Sequence, residues 1–406
     1  MIKKAKVLYI SNSLCSENLS EKLLKNKLAS PNLAAQKYHR LFAQGMALNH
    51  DLFDLHVVGV PEVSREKSHK LVFSFRSEIE RGVTYSYIPI ILIPVVRYFA
   101  IAYFLLLKII SWGLLNSRKE KIIVIDILNT NISLSTAIYS RLLKIKLITI
   151  VTDLPEMIYI HKSRLSIKDK LIISISKYIM RKVDGFVFLT LAMNERVNYK
   201  NKPFMIMEGL ADFNITETND YSRAESKYKI LLYSGGLYEK DGIKALIEAF
   251  SGLSGKDYRL QIYGTGELTD KIKEYTQKDP RITYFGYVDN SIIVNAQKKA
   301  TILTNPRFSH EEYTKYSFPS KNIEYMASGT PLLTTKLPSI PVEYYDYIFL
   351  IENESIDGFR CAMQSILNKP RDELLKFGAR AKEFIINRNN NKLQASRFYS
   401  CFVAKY

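Results

Sequence analysis

The sequence predicts an α/β protein of two doubly wound domains, and three observations carry that expectation. At 406 residues the chain exceeds what one hydrophobic core usually supports. Short apolar runs alternate with helical stretches, the pattern of a parallel sheet with helices on its faces. The alternation also stops and restarts: residues 213–227 are polar and charged, and a fresh apolar run opens at Lys229. The expected domains are residues 1–210 and 211–390, with a last helix in 391–406.

Hydrophobic residues make up 47% of the chain and mean hydropathy is close to zero, the composition of a folded protein. The net charge of +18 is unevenly placed, with 30 Lys+Arg against 15 Asp+Glu in residues 1–200 and 28 against 25 in residues 201–406. Such asymmetry predicts an anionic partner for the first half, a nucleic acid or an anionic membrane surface. No helix-turn-helix cue, zinc spacing or RNP-type motif is legible, which favours the membrane and argues against nucleic acid. Cys15, Cys361 and Cys401 are too few for a disulfide framework and too far apart for a metal knuckle, as in a reducing cytosol. The chain runs from Met1 through Lys3, Lys4 and Lys6 into a strand, so no signal peptide is expected.

The first strand, Lys6 to Ile10, breaks into Ser11-Asn12-Ser13, and a polar stretch leads to a helix from about Leu33 to Leu48. No Gly-Xaa-Gly-Xaa-Xaa-Gly follows that strand, so NAD is not expected. A strand follows at Phe53 to Val60, with weaker ones near Leu71 to Phe75 and Val83 to Ile88. Ile88 to Leu115 is the most apolar part. The longest uncharged run there, Gly82 to Val96, holds 15 residues and two prolines, short of the roughly 20 that a spanning helix needs. The stretch reads mainly as a core helix. The other reading is a monotopic surface served by Arg97, Lys108, Arg118, Lys119 and Lys121.

Lys121 to Ile125, Lys146 to Val151 and Gly185 to Leu189 read as buried strands between helices near Ser133 to Leu143 and Ser166 to Lys182, and Phe204 to Met207 closes the domain. Doubly wound sheets bind ligands at strand carboxyl ends, which singles out Asp126, Asn129 and Thr130, and then Asp153. His39 and His161 read as ordinary histidines rather than bases.

The second domain opens with the strand Lys229 to Tyr233, the turn Ser234-Gly235-Gly236-Leu237 and a helix from Gly242 to Phe250. Glycines there let backbone approach a phosphate, and Lys240 stands beside them as a point charge. Strand-to-glycine turns recur at Gly264-Thr265-Gly266 and at Gly286-Tyr287-Val288. Ile348 to Ile351 reads as a strand, and helices are expected at Gly358 to Asn368, Arg371 to Ile385 and Leu393 to Val403.

The domain is organised around Thr314 to Pro331. Pro319 suits a first helical turn and Ser320 can cap it. Ile323, Met326 and Ala327 recur at helical spacing until Gly329 and Pro331 stop the helix. The free N–H groups of the Phe318 to Lys321 turn favour an anion. Glu324, one turn further in, is an acceptor suited to a ribose diol.

The run Phe318-Pro319-Ser320-Lys321-Asn322-Ile323-Glu324-Tyr325-Met326-Ala327-Ser328-Gly329 resembles the donor site of retaining glycosyltransferases of family 4. It is most similar to the branch that builds bacterial capsular and exopolysaccharides. The resemblance implies the GT-B fold, two Rossmann-like domains facing each other across a cleft, with the last helix returning to the first domain. It implies transfer, with retention, from a nucleotide sugar, foremost a UDP-sugar, to a glycan or polyprenyl-linked saccharide, in the cytoplasm and peripheral to the inner face of the cell membrane.

Residue by residue, the resemblance places Glu324 on the ribose and Tyr287 and Val288 at the nucleobase. Gly235, Gly236, Phe318, Pro319, Ser320 and Lys321 fall at the phosphates, with Lys240 stabilising the departing diphosphate. Asp153 comes beside the transferred sugar, and Asn12, Asn32, Gln36, Lys37 and Asn129 line the acceptor side. Two departures stand out. Tyr316 takes the place of a second Glu, whose task falls to Glu311 or Glu312. Gly236 and Asp241 occupy positions of an Arg and a Lys, for which Lys240 and Lys321 compensate. No Asp-Xaa-Asp stands near a donor, so neither a metal nor another cofactor is expected. The rival readings are a nucleotide-sugar 2-epimerase on the same fold and a non-catalytic scaffold of a glycan assembly complex.

Overall fold

The computed structural model describes residues 4–29, 33–114, 120–159, 162, 164–214 and 227–404. Asn32, Arg118, Lys119, His161 and most of the linker at 213–227 lie outside the described residues. The chain divides into two compact units, Met1–Phe213 with Asn389–Tyr406, and Asn214–Arg388, against the expected divisions after residues 210 and 390.

The first unit runs β1 (Ala5–Ser11), α1 (Glu17–Lys25), α2 (Leu33–Leu48), β2 (Phe53–Gly59), β3 (Val72–Phe73), β4 (Glu78–Glu80), β5 (Val83–Tyr87), β6 (Ile90–Ile91), α3 (Val96–Leu114), β7 (Lys121–Asp126), α4 (Thr130–Leu142), β8 (Lys146–Val151), α5 (Ile167–Lys182), β9 (Gly185–Phe188), α6 (Leu191–Val197) and β10 (Phe204–Ile206). Eight of these strands form one sheet in the order β10-β9-β8-β7-β1-β2-β5-β4. All are parallel except β4, which runs antiparallel to β5 at the edge. β1 is buried along its whole length, as expected of a central parallel strand covered on both faces. Even Lys6 is enclosed there, its Nζ donating to the Trp112 carbonyl at 3.0 Å.

Two expectations need correction in this unit. The polar stretch after β1 contains α1, capped by Ser16, whose hydroxyl accepts from the Leu19 N–H at 3.0 Å. Its only buried residues are Leu19, Ser20 and Leu23, too thin an apolar stripe to stand out in the sequence. The second concerns α3, expected mainly as core. It is a continuous helix of 19 residues, long and apolar enough to cross a membrane by length and composition, yet its buried residues are only Ile101, Leu105, Ile109 and Trp112.

The second unit runs β11 (Lys229–Ser234), α7 (Ile243–Ser251), β12 (Tyr258–Tyr263), α8 (Thr269–Lys278), β13 (Ile282–Gly286), α9 (Asn290–Lys299), β14 (Ile302–Asn305), α10 (Ser320–Ala327), β15 (Leu332–Thr335), β16 (Phe349–Ile351), α11 (Ile356–Leu367) and α12 (Arg371–Asn389). Its six parallel strands lie in the order β13-β12-β11-β14-β15-β16. The chain winds outward from β11 to β13 and then crosses to β14 on the other side of β11. The crevice beyond the ends of β11 and β14 is therefore a topological switch point, where open α/β sheets take their ligands. In the first unit the same point lies beyond β1 and β7.

The last helix, α13 (Asn391–Phe402), completes the first unit. Phe398 packs edge-on against Phe42 of α2 with ring centroids 5.4 Å apart, and Tyr399 meets Phe53 at 5.7 Å. Asn391 donates to the Leu41 carbonyl at 2.9 Å. Gly45 makes this approach possible, because a Cβ there would come within 2.1 Å of the Asn391 carbonyl oxygen.

Candidate active site

At the switch point of the second unit three glycine turns are laced together. The Gly235 N–H donates to the Tyr263 carbonyl at 2.9 Å, Gly264 N–H to Gly286 at 2.8 Å and Leu237 N–H to Thr265 at 3.1 Å. Gly264 has φ +129, and a Cβ there would lie 1.8 Å from the Gly235 carbonyl oxygen. Only glycine fits that position.

α10 is fastened to this platform by Tyr325. Its hydroxyl accepts from the Ser234 N–H at 2.9 Å and donates to the Ser234 carbonyl at 3.0 Å. Asn305 at the end of β14 donates to the Asn322 side-chain oxygen at 2.8 Å. These buried bonds hold the start of α10 against the ends of β11 and β14. The helix begins one residue later than expected: Pro319 occupies the N-cap position without a side-chain cap bond, and Ser320 is the first helical residue. Uncapped first-turn N–H groups remain available to an anion.

Three cations gather here. A Cβ on Gly235 would lie 1.5 Å from the Lys321 Nζ, so Gly235 makes room for that amine. The same amine stands 5.1 Å from the centre of the Tyr233 ring. Burial is the main cause that pushes Lys321 down to about 8; Arg307 adds to the depression, while Asp241 and Glu324 oppose it. Arg307, in the turn after β14, places its Nε 3.6 Å from an Asp241 carboxylate oxygen. Its Nε and Nη1 are buried with no hydrogen-bond partner among the described residues, a costly state for a guanidinium unless an anion completes it. Lys240 is exposed, with its amine 5.5 Å from the centre of the Tyr313 ring; the Arg307 guanidinium also lies 5.5 Å from that centre.

Sequence reasoning passed over Arg307, Tyr325, Asn305 and Asn322. Arg307 lies 14 residues before Lys321, and only the β14-to-α10 connection brings them to one crevice. The other expected donor residues are placed as follows. Glu324 is half-buried in α10. Phe318 is buried, its ring 5.8 Å from that of Tyr344, so it offers backbone rather than side chain. Gly236 abuts the Tyr238 ring. Tyr287 is exposed and Val288 half-buried just past β13. Glu312 is exposed at the start of a 3₁₀ turn, Glu312–Lys315, and Tyr316 follows it.

In the first unit the expected residues are largely engaged in holding their own structure. Asn12 donates to Glu62. Asn129 is the N-cap of α4, accepting from the Ile132 N–H at 3.2 Å. Asp126 accepts from the Leu128 N–H at 3.0 Å and lies 3.3 Å from His39 Nε2, while His39 Nδ1 is 2.5 Å from the Tyr9 hydroxyl. That buried chain accounts for His39 as structure. Gln36 is buried, its side-chain oxygen without a hydrogen-bond partner among the described residues, and Lys37 and Asp153 are half-buried.

Comparisons with known proteins agree with this architecture. No curated protein matches the sequence. Sucrose-phosphate synthase from Thermosynechococcus elongatus is similar over 99% of this chain and 100% of its own, with a TM-score of 0.68 at 14% identity. HepE of Anabaena in complex with UDP-glucose is similar over 97% and 99%, with a TM-score of 0.63 at 10% identity. The catalytic domain of starch synthase IV from Arabidopsis thaliana, bound to ADP and acarbose, is similar over 99% of both chains, with a TM-score of 0.64 at 9% identity. At such identities these likenesses speak for the fold. Residues 214–384 match the family described as Glycosyl transferases group 1, and they span the platform, Arg307 and α10. The match covers nearly the whole of the second unit, and the chain is a glycosyltransferase with the GT-B fold.

Proposed function

We propose that the protein transfers a sugar from a UDP-sugar to a glycan or polyprenyl-linked saccharide in bacterial surface polysaccharide synthesis, with retention of anomeric configuration. The reaction would take place in the cytoplasm at the inner face of the cell membrane. The observation that carries the donor half is Arg307, whose Nε and Nη1 are buried without a hydrogen bond among the described residues, beside Lys321 and the uncapped start of α10. As the bond between sugar and diphosphate breaks, negative charge grows on the leaving oxygen. Fixed cations and first-turn N–H groups around it stabilise that charge without reorganisation. Arg307 and Lys321 supply the positive charge that Gly236 and Asp241 lack, and Lys240 adds a mobile one at the rim. Glu324 takes the ribose diol. On this reading no metal is needed.

UDP as the nucleotude carrier is supported by HepE of Anabaena, whose structure was solved with UDP-glucose. The surface-polysaccharide role is supported by a further neighbour, the lipopolysaccharide outer core galactosyltransferase WaaB, similar over 99% of this chain. The test is calorimetry of UDP, GDP and ADP with the wild-type protein and with Glu324→Ala. UDP should bind, and the variant should lose about 1.5 to 3 kcal/mol, the worth of charge-assisted ribose bonds. Binding of ADP alone would move the assignment to an ADP-sugar, and no binding at millimolar concentration would overturn the donor site.

A further inference from the structure

We propose that the outer side of α3, α4 and α5 is a docking surface for an anionic phospholipid bilayer. α3 is apolar over most of its circumference, with Arg97 and Lys108 its only charged residues, and a helix of that kind is ordinarily buried or in lipid. One face turns inward through Ile101, Leu105, Ile109 and Trp112. The opposite face carries Phe99, Tyr103, Leu107, Ile110 and Leu114, spaced by three or four residues in a single exposed stripe. Phe99 is 72% exposed and Leu114 78%. α4 packs on β7 and β8 with α3 on one side and α5 on the other, and it extends the apolar surface with Ile138 and Leu142, the latter 73% exposed. α5 adds Ile167, Leu171 and Tyr178. Scattered exposed apolar residues need no explanation, but a stripe along one helix with further exposed apolar residues on its two successive neighbours does.

Charge identifies the occupant. Residues 96–182 contain 15 Lys+Arg and 5 Asp+Glu, a net +10 that makes up two-thirds of the +15 carried by residues 1–200. At the end of the stripe, where α3 and α4 finish beside the start of β8, two adjoining hollows of about 510 and 640 Å³ open. Lys121, Arg141, Lys144, Lys146 and Lys182 line them, against Glu120 and Asp184. An apolar, aromatic-bearing stripe that ends in cationic hollows is complementary to a layer with an acyl interior and phosphate headgroups. A protein partner would need no such excess of cations. The surface deepens the membrane part of the function proposed above and does not depend on the donor chemistry.

The experiment is flotation of the full chain with vesicles of phosphatidylcholine, alone or mixed with phosphatidylglycerol. It uses the wild type, Phe99→Asp/Leu107→Asp and Arg141→Glu/Lys144→Glu. Trp112 is the single tryptophan and is buried on the inner face of α3. Unchanged emission from it in the lipid-free variants certifies that the helix still packs; should the first variant fail that check, Phe99→Ser replaces it. Binding to the mixed vesicles should exceed binding to phosphatidylcholine by about tenfold and fall in high salt. The stripe variant should lose about tenfold or more and the charge variant several-fold, with UDP binding unchanged in both. Absence of vesicle binding, equal binding to both compositions, or undiminished binding by the variants would each overturn the proposal. So would a wild-type dimer, dissolved by the stripe variant, that does not float with vesicles; it would assign the face to a second copy. A wild type that floats but binds no nucleotide would leave this surface standing and remove the donor reading alone.

Discussion

The two switch points of this chain share a topology and differ in what their side chains do. In the second unit, bonds within the protein hold backbone, while cations gather at the crevice: Tyr325 fastens Ser234, Asn322 fastens β14, Arg307 keeps two nitrogens without a hydrogen bond among the described residues, and burial depresses Lys321. In the first unit the polar side chains at the equivalent strand ends close upon each other, Asn12 on Glu62, Asn129 on α4, Asp126 on His39. Its cations stand elsewhere, around the outer helices and the start of β8. One doubly wound sheet thus gathers three cations at its carboxyl end. The other presents charge on a broad surface, a difference that strand order alone does not convey.

The largest effect that would sharpen this contrast is expected at Arg307. Arg307→Met keeps the stem packed but removes a half-buried guanidinium whose Nε and Nη1 make no hydrogen bond among the described residues. Nucleotide affinity should fall by about 10- to 100-fold, while the melting temperature changes by only a few degrees, because relief of the unsatisfied guanidinium nitrogens offsets loss of the ion pair with Asp241. A lower melting temperature with full affinity would make Arg307 a structural residue.

Next comes pH. Lys321 is held at about 8 by burial, with Arg307 depressing it further and Asp241 and Glu324 opposing, and a bound diphosphate would raise it again. Above pH 8 the free amine is neutral, so binding must recruit a proton. UDP affinity should therefore decline as pH rises from about 8 to 9, by at most about tenfold per unit, a range in which the terminal phosphate, with a second pKa near 6, is already almost wholly ionised. Calorimetry in buffers of different ionisation enthalpy should show proton uptake that is absent from Lys321→Met. The same depressed value makes the unfolded chain hold its proton longer, so the contribution of Lys321 to stability rises between pH 8 and 10.5.

The smallest effect belongs to the first unit. Asn129→Ala should cost about 1 kcal/mol of stability, the usual loss of an N-cap, measured by chemical denaturation. Product formation per folded molecule should stay unchanged. A selective loss of activity would return Asn129 to the acceptor side and blur the contrast between the two units.

Much of the fold was legible from local signals. Each central strand is a continuous apolar run, and α10 is bracketed by Pro319 and Gly329, so their positions follow from chemistry along the chain. What stayed hidden depends on partners distant in sequence. Arg307 reads as an ordinary loop residue until β14 carries it beside Lys321. Gly235 looks like a phosphate-turn glycine, and only the folded chain shows a lysine amine resting over it. Asn129 and α1 were obscured for the opposite reason. A cap and a thinly amphipathic helix have the same composition as a solvated loop or a binding residue. The exposure of α3 stayed the second of two readings because apolar periodicity cannot distinguish an inward face from an outward one when both are apolar.

The docking of α13 on α2 has a consequence for synthesis. Phe42 and Phe53 belong to a unit whose first 213 residues leave the ribosome early, but the residues that cover them begin at Asn389. The intervening 214–388 takes roughly 10 to 35 s to translate at about 5 to 20 residues per second. During that interval the second unit can fold to completion while the earlier one waits with an aromatic face uncovered. The second unit can then complete its fold before the first does, and the first half of the nascent chain is the part that a chaperone has most reason to hold.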